Sequence, residues 1–138
     1  MIQPTCSLVG STLRPLKPLR WTSPSWKLTT WETGSALVSS KVGSQIAIPF
    51  FGARVGIFIW TTKGEKDEEK PGRAYCFVDE VREPGINVEA WTDWEFSWSK
   101  WVLLFEDLGE GGHTLTCEIL EDTSTGGHEF RILGIGSQ

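Results

Sequence analysis

Hydrophobic and polar positions alternate with the period of a strand along most of the chain from residue 35 onward. Residues 36–40 make a short extended run, and residues 45–50 alternate like a half-buried strand, with Pro49 marking an edge or a bulge. Phe51-Gly52-Ala53-Arg54 turns the chain. Residues 55–60 (Val-Gly-Ile-Phe-Ile-Trp) are apolar on both faces, as in a central strand. Residues 73–80 form the next run, and Val81-Arg82-Glu83-Pro84-Gly85 turns it. In 86–91, Ile86, Val88 and Ala90 share one face and Asn87, Glu89 and Trp91 the other. Residues 92–100 read as a loop carrying Trp94, Phe96 and Trp98. Runs centred on 101–108, 113–120 and 128–134, separated by Gly-Glu-Gly-Gly and a Thr/Ser/Gly cluster, close the chain. No helical period intervenes. About eight strands at roughly ten-residue spacing predict an all-β fold, an antiparallel two-sheet β-sandwich or jelly roll.

The first third is different. Residues 1–19 hold Pro4, Pro15 and Pro18, and residues 20–31 place Trp21, Trp26 and Trp31 at five-residue intervals, which suits neither strand nor helix. Residues 1–34 therefore read as an extended N-terminal arm packing on the sandwich, and residues 35–138 as the β-jelly-roll domain. A chain of 138 residues makes one domain with a proper core.

Charge narrows the function. A net charge of −5 argues against a nucleic-acid partner, which would demand a dense basic surface. Arg14, Lys17 and Arg20, spaced by prolines, read as a solvated arm. No stretch is apolar for long enough to span a bilayer. Met1 to Ser11 lack the basic start and apolar run of a signal peptide, so the chain is either cytosolic or a mature fragment.

Of three cysteines, Cys76 and Cys117 each fall inside a predicted strand. A disulfide between them is sterically reasonable and would indicate an oxidising, extracellular or cell-wall location. Two buried free thiols are the alternative. Cys6 is left to pair with a partner chain, with another part of a larger protein, or with nothing.

Catalytic constellations are scarce. His113 and His128 each follow a Gly-Gly pair, where an imidazole bonds the turn backbone, and no nucleophile elbow supplies a partner. Zinc spacing is lacking. Glu106, Asp107, Glu118, Glu121 and Asp122 could form a glycosidase pair, but carboxylates on exposed strands are background. The mixed-charge stretch 63–72 could hold calcium, yet its interrupting lysines read as a solvated hairpin tip. An enzyme is the less favoured reading, and no cofactor is called for.

Eight tryptophans are the stronger signal. Trp91, Trp94, Phe96, Trp98 and Trp101 lie within eleven residues, interleaved with Asp93, Glu95, Ser97, Ser99 and Lys100. An indole face stacks on the apolar C–H face of a sugar while its hydroxyls meet neighbouring polar groups. Trp101 opens an apolar run and is assigned to the core. Trp91, Trp94 and Trp98 are the candidate stacking residues, with Asp93 and Glu95 as hydroxyl partners.

Gly43-Ser44-Gln45-Ile46, Phe50, Gly52, Val55-Gly56-Ile57-Phe58, Cys76-Phe77-Val78-Asp79, His113-Thr114-Leu115-Thr116-Cys117-Glu118-Ile119-Leu120 and Gly127-His128-Glu129-Phe130-Arg131-Ile132-Leu133-Gly134 together resemble a galactose-binding-like ancillary domain of fungal SGNH hydrolases and capsule-associated proteins. The resemblance covers about residues 35–136. It implies a β-jelly roll recognising a cell-wall or capsular polysaccharide, beside a catalytic domain whose Gly-Asp-Ser block is missing here. Related modules often carry a structural calcium, for which no ligand set stands out in this chain. The expected function is thus a non-catalytic, lectin-like carbohydrate-binding module. The alternatives are a protein–protein or homo-oligomerisation domain and, less favoured, a small esterase or glycosidase using His113 or His128.

Overall fold

The computed structural model describes residues 12–14, 25–31, 34–64, 70–94 and 97–138. Cys6, Lys17, Arg20, Trp21, Glu95, Phe96 and residues 65–69 of the mixed-charge stretch lie outside them. The described residues form ten strands: β1 (Thr12–Arg14), β2 (Lys27–Trp31), β3 (Gly34–Ser39), β4 (Gln45–Phe51), β5 (Val55–Thr61), β6 (Arg73–Val78), β7 (Val81–Glu89), β8 (Trp98–Phe105), β9 (Gly112–Ile119) and β10 (Phe130–Ser137).

The strands make an antiparallel two-sheet sandwich. One sheet runs β2-β3-β10-β5-β8, with β1 also paired to β10; the other runs β4-β9-β6-β7. From β3 onward the chain passes between sheets at every connection but β6–β7, as in a jelly roll. Residues on alternating positions consequently meet in one core: Ile46, Ile48 and Phe50 from β4, Val55, Ile57 and Ile59 from β5, Leu115 and Ile119 from β9, and Phe130, Ile132 and Ile135 from β10 are all buried. Each such side chain contributes about 1.5–3 kcal/mol by leaving water. As the alternation of 86–91 predicts, Val88 and Ala90 are buried and Ile86 packs against the core.

Two strands exceed the sequence expectation. Lys27–Trp31 pairs along its length with β3, and Thr12–Arg14 pairs with the end of β10. Neither carries a clean alternation, because backbone hydrogen bonds to an existing sheet recruit them. Trp26, just before β2, is core at 2% exposure. The expected turn at 81–85 is instead the first half of β7, where the Tyr75 ring lies against Gly85, leaving no room for a Cβ.

Trp101 is the clearest correction. Its cross-strand partner is Phe58, on the face of β5 opposite Ile57 and Ile59. It therefore sits on the outer face of its sheet, half-buried, 5.0 Å from the Phe58 ring and laid over Gly56. A Cβ on Gly56 would meet that indole at 2.5 Å. An apolar neighbourhood along the strand does not tell which face a ring occupies.

Cys76 and Cys117 are direct cross-strand partners of β6 and β9, both fully buried. Such partners have Cα atoms about 4.5–5.5 Å apart, inside the range a disulfide tolerates. The structure holds both as free thiols, so the bridge read from the sequence is not formed here. Burial, reinforced by the neighbouring Cys117, pushes the Cys76 thiol well above its ordinary pKa and keeps it protonated.

Candidate functional site

Trp91, bridged to Thr62, and the contacting pair Trp94 and Trp98 lie where β5 and β7 end and β8 begins. Thr62, immediately after β5, organises this end. Its backbone N–H donates to the Ala90 carbonyl at 3.1 Å, and its carbonyl accepts from Thr92 N–H at 3.2 Å. Its hydroxyl oxygen accepts from the Ser97 hydroxyl at 2.8 Å and from Gly64 N–H at 3.2 Å. Thr61 donates its hydroxyl to the Trp98 carbonyl at 2.9 Å. Both threonines are buried, so these bonds are shielded from competing water. Ala90, Thr92, Ser97 and Trp98 are thereby stitched to the end of a central strand.

The rings displayed here are open. Trp91, Trp94 and Trp98 are 39%, 64% and 44% exposed, against 2% for Trp26. The Trp94 and Trp98 rings have centroids 6.4 Å apart with planes inclined at 51°. Trp94 N–H bonds the Thr92 hydroxyl at 3.3 Å, shaping the turn before it. Asp93 is exposed between Trp91 and Trp94 in the chain. Trp98 belongs to β8 rather than to the loop that the sequence suggests: it pairs with Thr61 at the edge of the six-stranded sheet. The three tryptophans named from the sequence are exposed at this end, and the sequence reading misses Thr61 and Thr62. A Thr-Thr pair after a fully apolar strand, just where its face must end, is the signal that could have found them.

At the opposite end of the sandwich stands a different constellation. His113 Nδ1 lies 2.6 Å from Asp79 Oδ2, and Nε2 bonds the Gly109 carbonyl. Asp79 also accepts the Thr114 N–H at 2.9 Å. Both ring nitrogens face acceptors, which only the imidazolium can satisfy by donating twice. The Asp79 hydrogen bond, with the Gly109 carbonyl second, raises the His113 pKa; reciprocally, the His113 bond holds Asp79 below the usual carboxylate range. His128 bonds the Glu121 carbonyl at 3.0 Å. Both histidines therefore brace turn backbone, as their Gly-Gly context predicts. Beside His113, a shallow depression lined by Pro49, Phe51, Asp79 and Thr114 opens to solvent.

The carboxylates considered from sequence disperse. Glu106 pairs with Arg54 at 3.0 Å, Glu118 with Arg82 at 3.2 Å, and Asp122 lies 3.9 Å from Arg73. Among the described residues no group of three His, Cys, Asp or Glu side chains is placed to hold a metal ion. Among the same residues no helix is long and apolar enough to cross a membrane.

The architecture has counterparts among solved structures. A two-domain esterase active on acetylated mannans, crystallised with mannopentaose, superposes with a TM-score of 0.74 at 14% identity, over 92% of this chain and 36% of that one. The C-terminal CBM6 module of LamC, a marine laminarinase from Zobellia galactanivorans, gives 0.56 at 12% identity over 91% and 97%. The CBM36-1 domain of a multidomain xylanase from the hindgut metagenome of Trinervitermes trinervoides gives 0.53 at 6% over 91% and 94%. This chain thus spans about a third of the esterase and nearly the whole of each carbohydrate-binding module. At these identities the likeness is one of fold, and the fold is the galactose-binding-like β-sandwich. No family model and no curated protein matches the sequence.

Proposed function

We propose that this domain is a non-catalytic carbohydrate-binding module that recognises a cell-wall or capsular polysaccharide through Trp91, Trp94 and Trp98. The observation that carries the reading is their exposure together at one end of the sandwich, on backbone pinned by Thr61 and Thr62. Open indoles on hydrogen-bonded backbone offer flat apolar area and reduce the ordering cost at binding. Asp93 supplies a nearby acceptor for sugar hydroxyls, and Glu95 joins it in the same reading. Similar folds described as carbohydrate-binding modules, and one in an esterase crystallised with an oligosaccharide, support the ligand class. A catalytic neighbour in a longer protein and a place outside the cell follow from that reading.

Affinity electrophoresis through gels containing soluble mannan, xylan or laminarin tests it. Retardation is expected, with a Trp94→Ala, Trp98→Ala variant losing at least tenfold in affinity while its circular dichroism is unchanged. Equal retardation of the folded variant would take these rings out of the glycan site, and a concentration-dependent mass by light scattering without any glycan affinity would move them to a protein-binding role.

A further inference from the structure

The tilt of the two indoles narrows the ligand, on the footing of the carbohydrate reading above. We infer that Trp94 and Trp98 form a notch that grips a single hydrated glycan chain at one sugar residue, and that the site does not lie on the flat face of a crystalline polysaccharide.

An ordered polysaccharide surface is planar. Rings that adsorb to it must lie in one plane so that each makes face contact at van der Waals distance, roughly 3.5–4 Å between carbons. Planes inclined at 51° cannot both meet one surface face-on. When one indole lies flat, the other presents an edge or lifts away. The ring centroids are 6.4 Å apart. They sit within the range of about 4.5–7 Å in which aromatic rings pack against each other, so the tilt is that of a contacting pair.

Hydrogen bonds also hold the backbone from which the two rings spring. The Trp98 carbonyl is tied to the Thr61 hydroxyl, the Trp94 N–H to the Thr92 hydroxyl, and the intervening Ser97 hydroxyl to Thr62. Trp94, the more exposed at 64%, serves as the stacking floor, and Trp98, at 44% and anchored in β8, as the side wall. One pyranose can present its C–H face to the first ring and its rim to the second. That arrangement requires a chain free on its other sides, as in a soluble polysaccharide or oligosaccharide.

The test pairs two measurements on the whole chain. Sedimentation with microcrystalline cellulose and with crystalline chitin is compared with calorimetric titration of soluble hexasaccharides of mannose, xylose and glucose. Binding to a soluble hexasaccharide with negligible adsorption to either solid is expected. A double-mutant cycle on the soluble ligand then probes the notch: Trp94→Ala and Trp98→Ala each lose at least tenfold, and the double variant loses little more than either one. Adsorption to the solids at comparable affinity, or additive losses in the cycle, would overturn the notch and leave the carbohydrate reading standing. Binding to neither solids nor soluble glycans would overturn both.

Discussion

Tyr75 and Phe77, on the outer face of the four-stranded sheet, and Trp91, Trp94 and Trp98, at the end of the six-stranded sheet, are both aromatic clusters facing away from the core. They differ in what lies above them. Arg82, from the bent first half of β7, extends its guanidinium over both rings of the first cluster, 5.1 Å from Phe77 and 5.7 Å from Tyr75. Glu118 holds that guanidinium at 3.2 Å, and the Tyr75 hydroxyl donates to the Arg82 carbonyl at 2.5 Å. Phe77 ends at 4% exposure. In the tryptophan cluster, β8 is the edge of its sheet, and the rings stay open. Ring chemistry alone therefore does not make a binding surface. A neighbouring strand that supplies a long cationic side chain turns one aromatic cluster into structure, and a sheet edge leaves the other free to meet a ligand.

The largest effect expected from this contrast is on stability. Phe77→Ala should cost about 3–5 kcal/mol of unfolding free energy in a denaturant melt, with glycan affinity unchanged in the fraction that stays folded. A loss of affinity matching that from the tryptophan variants would erase the division between the two clusters. Thr62→Val should come next. It removes a buried hydroxyl that serves Ser97 and Gly64, costing about 1–3 kcal/mol and weakening glycan binding, whereas Thr62→Ser restores binding. Calorimetry on both variants reads it. Arg82→Ala should cost only about 0.5–1 kcal/mol in cation–π contact. Its sharper consequence is that the Tyr75 ring becomes accessible, read as increased acrylamide quenching of tyrosine emission in a variant whose tryptophans are replaced by phenylalanine.

The smallest effect is electrostatic and lies at the opposite end from the tryptophans. Asp79 and the Gly109 carbonyl face His113 directly, and the charge of Glu110 acts from the adjoining loop. The folded-state pKa of His113 lies above its ordinary value of 6.5, so the native state takes up a proton more readily than the unfolded chain. Its stabilising contribution is complete below pH 6.5 and is lost as pH rises through the raised pKa. Melts between pH 5 and 9 should show this decline, and His113→Gln should flatten it without altering glycan affinity. A decline of equal size in the variant would assign the slope to other groups.

Much of the sandwich is legible in the chain because a strand with one buried face must alternate. Gln45 to Phe50 and Ile86 to Ala90 do so, and the glycine clusters at 109–112 and 126–127 mark where the chain turns, whereas Pro84-Gly85 lies within β7. Residues 27–31 were not legible as a strand, since β2 is held chiefly by backbone pairing to β3, which leaves little trace in side-chain pattern. The polar residues of 92–100 suggest one loop, although Trp98 already pairs with Thr61. Trp94, Phe96 and Trp98 alternate with Glu95, Ser97 and Ser99, a strand period, and residues 98–100 are exposed at the start of the edge strand β8.

The sequence by itself determined the all-β class, the number and spacing of most strands, and the choice of Trp91, Trp94 and Trp98 as candidate binding rings. All of these follow from local periodicity and side-chain type. Only the tertiary structure decided that Trp101 lies outside the core over Gly56, that Cys76 faces Cys117, that Arg82 covers Tyr75 and Phe77, and that Thr62 ties the tryptophan segment to β5. Each of these joins residues from different strands, and the register and sheet order that bring them together are properties of pairing between distant segments rather than of any one stretch of chain.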